Sequence, residues 1–161
     1  MKHLLKIGLA LIAMAPLNVK AQSAKKLPTG IYEIVPKSAF GFKDATTGKP
    51  VFVEPKTAVT IKHCVELIKD YDINDASPLI SVKLDSAGTV LLKKLTGRFV
   101  GKKMAIIAGN QLISTPVISA PLSTGFFPIS NHFNNAETER LKEQLQAELA
   151  ATKQVPATAV K

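Results

Sequence analysis

The 161-residue sequence predicts an α+β fold: a small, mostly antiparallel sheet with two packed helices. Three observations carry this reading. Two stretches, Asp85 to Leu95 and Asn134 to Leu149, repeat apolar residues at helical spacing. Gly109-Asn110 separates two apolar runs in the manner of a tight hairpin, and several short strand-like runs are bounded by Pro, Gly and Asp.

The chain opens with Lys2 and Lys6, an apolar run from Ile7 to Ala15, then Pro16 and Val19-Lys20-Ala21. A basic start, a short apolar core and small residues at the two positions read by a signal peptidase make residues 1–21 a signal peptide cleaved after Ala21. The apolar core is about half of the roughly 20 residues that a bilayer span requires, so removal is expected rather than anchoring, with no transmembrane segment left after cleavage. An exported product is periplasmic where the cell has an outer membrane and secreted otherwise. Past residue 21, 18 basic and 12 acidic residues leave a charge of +6. That surplus is mostly lysine, with Arg98 and Arg140 the only arginines, so the forked donors and aromatic platforms of a nucleic-acid reader are not expected. The single cysteine, Cys64, has no partner within the chain and is expected to be buried.

Residues 22–30 are polar and basic and read as a flexible lead-in to a domain at 31–150. Ile31 to Val35 reads as a first strand, Pro36 to Pro50 as a long loop carrying Phe40 and Phe42, and Val51 to Val53 and Ala58 to Ile61 as short strands divided by Glu54-Pro55. Val65 to Lys69 and Leu79 to Leu84 form a hairpin around a polar turn. The first helix is capped by Asp85 or Ser86, carries Ala87, Leu91 and Leu95 with Leu92 on its apolar face, and stops at Gly97. Met104 to Ala108 and Gln111 to Thr115 flank Gly109-Asn110, and Pro116 and Pro121 turn the next stretch into an edge or loop. Gly125 to Ser130 is a further apolar piece. Asn134 with Glu137 makes a variant capping box for a second helix, whose Leu141, Leu145 and Leu149 form one narrow stripe. Residues 151–161 are expected to be a disordered tail.

Catalytic chemistry finds no motif. The stretch Thr96 to Lys103 lacks the opening glycine and the closing Ser or Thr of a phosphate-binding loop, and follows a helix instead of a strand. His63 and His132 do not have zinc-ligand spacing, and His63 and Cys64, as neighbours on a strand, face opposite ways. No Gly-x-Ser-x-Gly occurs. The expectation is a domain that is not an enzyme and needs no cofactor or metal, with a thiol-dependent enzyme built on Cys64 as the alternative.

The stretch from Leu79 to Leu149 resembles the head subdomain of the first periplasmic domain of SecD, in the SecDF protein-export family. The resemblance runs in order through Ser81-Val82-Lys83-Leu84-Asp85-Ser86-Ala87-Gly88, Leu95-Thr96, Val100-Gly101-Lys102-Lys103-Met104-Ala105-Ile106-Ile107 and Ile113-Ser114-Thr115-Pro116-Val117-Ile118. It closes with Gly125, Ile129, Phe133 and the helix of Glu137. Where that family shows Asp-Gly at the hairpin this chain has Gly109-Asn110, and where it shows Gly this chain has Asn131; both keep residues that tolerate left-handed backbone. The resemblance implies a stand-alone exported head without the base subdomain, membrane helices or intramembrane carboxylate of a proton-driven motor.

It also implies a partner: exported polypeptides, or an envelope protein to which the domain is a dedicated structural subunit. An exposed apolar strip or open strand edge would take an extended segment. The candidate contacts are Phe126, Phe127 and Ile129, with Phe40 and Phe42 in the long loop. Phe126 and Phe127 are consecutive, so on a strand one of the two faces away from the core.

Overall fold

The computed structural model describes residues 26–154. The expected signal peptide, residues 22–25 of the expected lead-in and the last seven residues of the expected tail lie outside the described residues. Eight strands form two sheets: β1 (Gly30–Val35), β2 (Gly41–Lys43), β3 (Pro50–Thr60), β4 (Cys64–Tyr71), β5 (Pro78–Leu84), β6 (Met104–Ala108), β7 (Gln111–Ser114) and β8 (Phe126–Ile129). The helices are α1 (Ser86–Arg98) and α2 (Asn135–Gln154). The first sheet runs β2-β3-β1-β6-β7 and the second β4-β5-β8, and every ladder is antiparallel.

One core lies between the sheets and under both helices. Ile31, Val59, Met104 and Ile106 face it from the first sheet, Ile80, Val82, Leu84, Phe127 and Ile129 from the second, and Leu92, Leu95, Leu141 and Leu145 from the helices. The opposite face of the first sheet holds a second, smaller cluster of Leu27, Tyr32, Val53, Ala105 and Ile107, against which Phe40 and Phe42 pack. Strand β6 is therefore buried on both sides along its whole length.

The boundaries depart from the sequence reading at several places. The expected loop of residues 36–50 contains strand β2, and residues 151–154 of the expected tail continue helix α2. Residues 54–55 do not divide two strands: β3 is continuous, and residues 55–58 bulge out opposite Tyr32, which removes Pro55 from the ladder where its missing N–H would cost a hydrogen bond. Helix α1 buries Gly88, Leu92, Leu95 and Thr96, while Ala87 and Leu91 are exposed. The rotation follows from Gly88, where an added Cβ would stand 2.6 Å from the Cβ of His63; the helix can sit that close only on its glycine. Gly97 lies inside the last turn, and the N–H of Phe99 closes the helix on the carbonyl of Thr96. The packed chain also begins before residue 31, with Leu27, Thr29 and Gly30 buried. The N–H of Leu27 donates to Asn110 Oδ1 at 3.0 Å, and the N–H and hydroxyl of Thr29 donate to the two carboxylate oxygens of Glu148, each at 2.7 Å.

The local signals for the remaining elements match the geometry. Asp85 caps α1, accepting from the N–H of Gly88 at 2.6 Å. Asn134 and Glu137 exchange reciprocal side-chain to backbone bonds at the start of α2, at 2.8 and 2.9 Å. Gly109 and Asn110 both have positive φ, 56° and 61°, as a two-residue hairpin turn demands.

Candidate functional site

The five sequence-derived contact residues fall in three different environments. Phe127 and Ile129 are fully buried in the main core. Phe40 and Phe42 are half-buried against the second cluster, on the far side of the five-stranded sheet. Phe126 is half-buried and points to the opposite face of β8 from Phe127. Of the five, only Phe126 belongs to an open sheet face.

That face is built by register. Phe126 stands opposite Lys83 on β5, which stands opposite Glu66 on β4, and the Lys83 ammonium lies 3.2 Å from the Glu66 carboxylate. The next row is Ile68, Ser81 and Pro128. Because Ile80, Val82 and Leu84 turn into the core, Ser81 and Lys83 turn away from it, whereas Leu79, on that same outer side, is only 7% exposed and closes the Pro78 end of the face. Among the described residues no helix or strand covers this outer face; both helices contribute to the core on the other side. The result is an apolar strip of Phe126, Ile68 and Pro128 crossed by one exposed ion pair. Ile68 and Pro128 escape sequence reasoning because cross-strand register alone brings them beside Phe126. The alternation of β4 does carry a signal, since Leu67 packs on the core and its neighbour Ile68 must face out.

The two edges of this sheet differ in their backbone. The N–H of Leu84 donates to the carbonyl of Gly125 at 2.8 Å, which makes 84 with 125, 82 with 127 and 80 with 129 the hydrogen-bonded pairs. The backbones of Phe126 and Pro128 therefore turn outward, and Pro128 has no N–H to offer. By the same alternation Leu67, Lys69 and Tyr71 turn outward on β4, where the Tyr71 N–H is already held by Asp70 Oδ1 at 2.9 Å. Edge β4 thus presents the outward amides of Leu67 and Lys69, and edge β8 that of Phe126.

The charged groups around the second sheet serve its assembly. Lys69 Nζ donates to Glu139 Oε1 at 2.8 Å, pinning α2 to β4; this bond raises the lysine pKa and lowers that of the carboxylate. Asp85 is held below the usual carboxylate range by the Gly88 N–H and, to a smaller extent, by His63, whose ring nitrogen is 3.3 Å away. Burial pushes the Cys64 thiol upward, away from the thiolate, although it touches the Glu66 carbonyl at 3.3 Å. Among the described residues no group of three or more His, Cys, Asp or Glu side chains is placed to hold a metal ion. Among them too, no helix is long and apolar enough to cross a membrane.

Comparison with known proteins agrees with this architecture. The family model for the SecDF P1 head subdomain matches residues 34–151. The SecD translocase subunit of Calditerrivibrio nitroreducens is 34% identical over 70 residues, covering 44% of this chain and 14% of that protein. That of Treponema pallidum is 27% identical over 122 residues, covering 74% of this chain and 20% of that protein. The chain thus spans a fifth or less of the length of these relatives. A solved SecDF structure, described as a membrane component that enhances protein export, superposes with a TM-score of 0.53 at 13% identity, over 76% of this chain and 64% of that one. SecDF in a super-membrane-facing form gives a TM-score of 0.50, also at 13% identity, over 77% of this chain and 19% of that one. At that identity the superposition speaks for the shared α+β fold, while the family match spans well over half of the sequence. The chain belongs to the SecDF P1 head subdomain family.

Proposed function

We propose that this domain binds exported, incompletely folded polypeptides on the outer side of the cytoplasmic membrane, in the periplasm where there is one, through the open face of its three-stranded sheet. The carrying observation is that face: Phe126, Ile68 and Pro128 form an apolar strip that no described element covers. An extended chain can lay alternate apolar side chains along the strip. The outward amides of Leu67 and Lys69 on β4 offer it backbone pairing at the sheet edge. The family membership supports the reading, since the SecDF relative is described as enhancing protein export.

The test is fluorescence anisotropy with the purified protein and a permanently unfolded probe, reduced and carboxymethylated α-lactalbumin. Covering a half-exposed Phe contributes on the order of 1 kcal/mol, so Phe126→Ser should weaken binding about fivefold to tenfold, and Ile68→Ser on top of it further. Both side chains lie outside the main core, so the melting temperature should change little. Unchanged affinity in the double variant sinks the proposal. Retention of one stoichiometric envelope protein in a pull-down, with no binding of the unfolded probe, would instead make the domain a dedicated subunit of that protein.

A further inference from the structure

A second surface, made of other elements, has a different chemistry. Where the end of β3 and the 3₁₀ turn Ile61–His63 pass α1, they leave a groove of about 270 Å³. Its floor is apolar, from Val59, Leu91 and Leu95, and Leu91 is 43% exposed. Its walls carry Lys56 and Lys62 on one side and Lys94 and Arg98 on the other, and among the described residues no acidic one lines it. Among the described residues, Lys56, Lys62 and Lys94 make no ion pair, and the half-exposed Arg98 makes only a 3.7 Å contact with Glu33. Glu33, which contacts Arg98 and accepts from the Thr57 hydroxyl at 3.1 Å, offsets part of this charge at one end; the remaining cations around the concavity repel one another and focus a positive potential into it, so the site gains when anionic groups enter.

We propose that this groove binds an extended acidic segment of a polypeptide, with carboxylates at alternate positions and an aliphatic side chain among them. Two features select that occupant. Lys94 and Arg98 are one helical turn apart, about 6 Å along the axis, and same-face side chains of an extended chain repeat at about 6.6–7 Å. An inorganic anion would satisfy the cations but leave the exposed Leu91 floor wet, whereas an acidic segment carrying a Leu or Val covers both. No residue of the groove belongs to the three-stranded sheet, so this site stands whether or not the open face binds polypeptide.

The probe is a fluorescein-labelled nonapeptide, Glu-Ser-Glu-Ser-Leu-Ser-Glu-Ser-Glu, which sets the Glu side chains and the central Leu on one face, followed by anisotropy; the control peptide has Gln in place of Glu. The Glu peptide should bind at least about fivefold more tightly than the Gln peptide and lose about fivefold between 50 and 500 mM salt, as screened surface pairs do. The reversal Lys62→Glu with Lys94→Glu, one residue from each wall, should weaken it about tenfold or more. Lys56→Gln with Arg98→Gln gives an independent check and should weaken it severalfold, while Phe126→Ser leaves it unchanged. Equal binding of the two peptides, or wild-type affinity in both charge variants, overturns the assignment. So does sedimentation with phosphatidylglycerol vesicles that is lost in these variants while peptide binding is not, which would give the groove to a lipid surface.

Discussion

The two sheets of this domain solve the same problem in different ways. The five-stranded sheet is buried on both faces: its inner face meets the helices, and its outer face is closed by Leu27 and by Phe40 and Phe42 folding over Tyr32 and Ile107. The three-stranded sheet, among the described residues, buries one face fully and leaves much of the other open, and β5 from Ile80 onward and β8 keep the in–out alternation that β6 has lost. A sheet covered twice is a scaffold. A sheet covered once keeps a surface on which another chain can be held, and here that surface includes the only one of the five expected contact residues that lies on an open sheet face.

Two neighbours in sequence, Phe126 and Phe127, should respond most differently to truncation. Phe127→Ala should cost about 3–5 kcal/mol, because it empties a fully buried site, whereas Phe126→Ala one residue away should cost under about 1 kcal/mol. Urea unfolding of both variants reads the difference directly, and equal costs would mean that the outer face is covered after all.

A smaller effect is expected in the scaffold sheet. Its leading segment is tied to α2 through Thr29 and Glu148, and the Thr29 side chain is fully buried. Glu148→Ala strands that N–H and hydroxyl and should lower stability by about 1–3 kcal/mol, while Glu148→Gln, which keeps one good acceptor, should recover a large part of it.

The smallest effect concerns pH. The folded state depresses the pKa of Asp85, so the ionised cap contributes fully above the ordinary carboxylate range, around pH 4, and the contribution is lost as the pH falls through the depressed value. The urea midpoint should therefore be flat from pH 7 to 5 and fall below about pH 4. Asn also caps a helix but does not titrate, so in Asp85→Asn the fall should be shallower; the rest comes from Asp44, Asp75 and Glu139, which are shifted the same way. An identical fall in the variant would show that the cap is not linked to the acid transition.

Much of the fold is legible because its signals are local. A cap such as Asp85, the Asn134–Glu137 box and the Gly109-Asn110 turn act within four residues of themselves, so their chemistry can be read from spacing alone. The alternation that sends Phe127 inward and Phe126 outward is equally local, and the ordered resemblance to the SecD head was strong enough to specify the family. The rotation of α1 was not legible: Leu91 and Leu92 are equally apolar, and only the approach of Gly88 to His63 decides which one is buried. Likewise Pro55 reads as a break, and only pairing with β1 makes it a bulge in an unbroken strand.

What the amino-acid order determined by itself is the α+β class, both helices with their starts, and most of the strands, because helix period, strand period, caps and turns are properties of short segments. What the tertiary structure alone decided is which surfaces remain exposed. The strip of Ile68, Phe126 and Pro128 and the groove between Lys62 and Lys94 each join residues from separate elements. Their meeting depends on strand register and on which helix face finds the core, and those are settled by packing among distant parts of the chain.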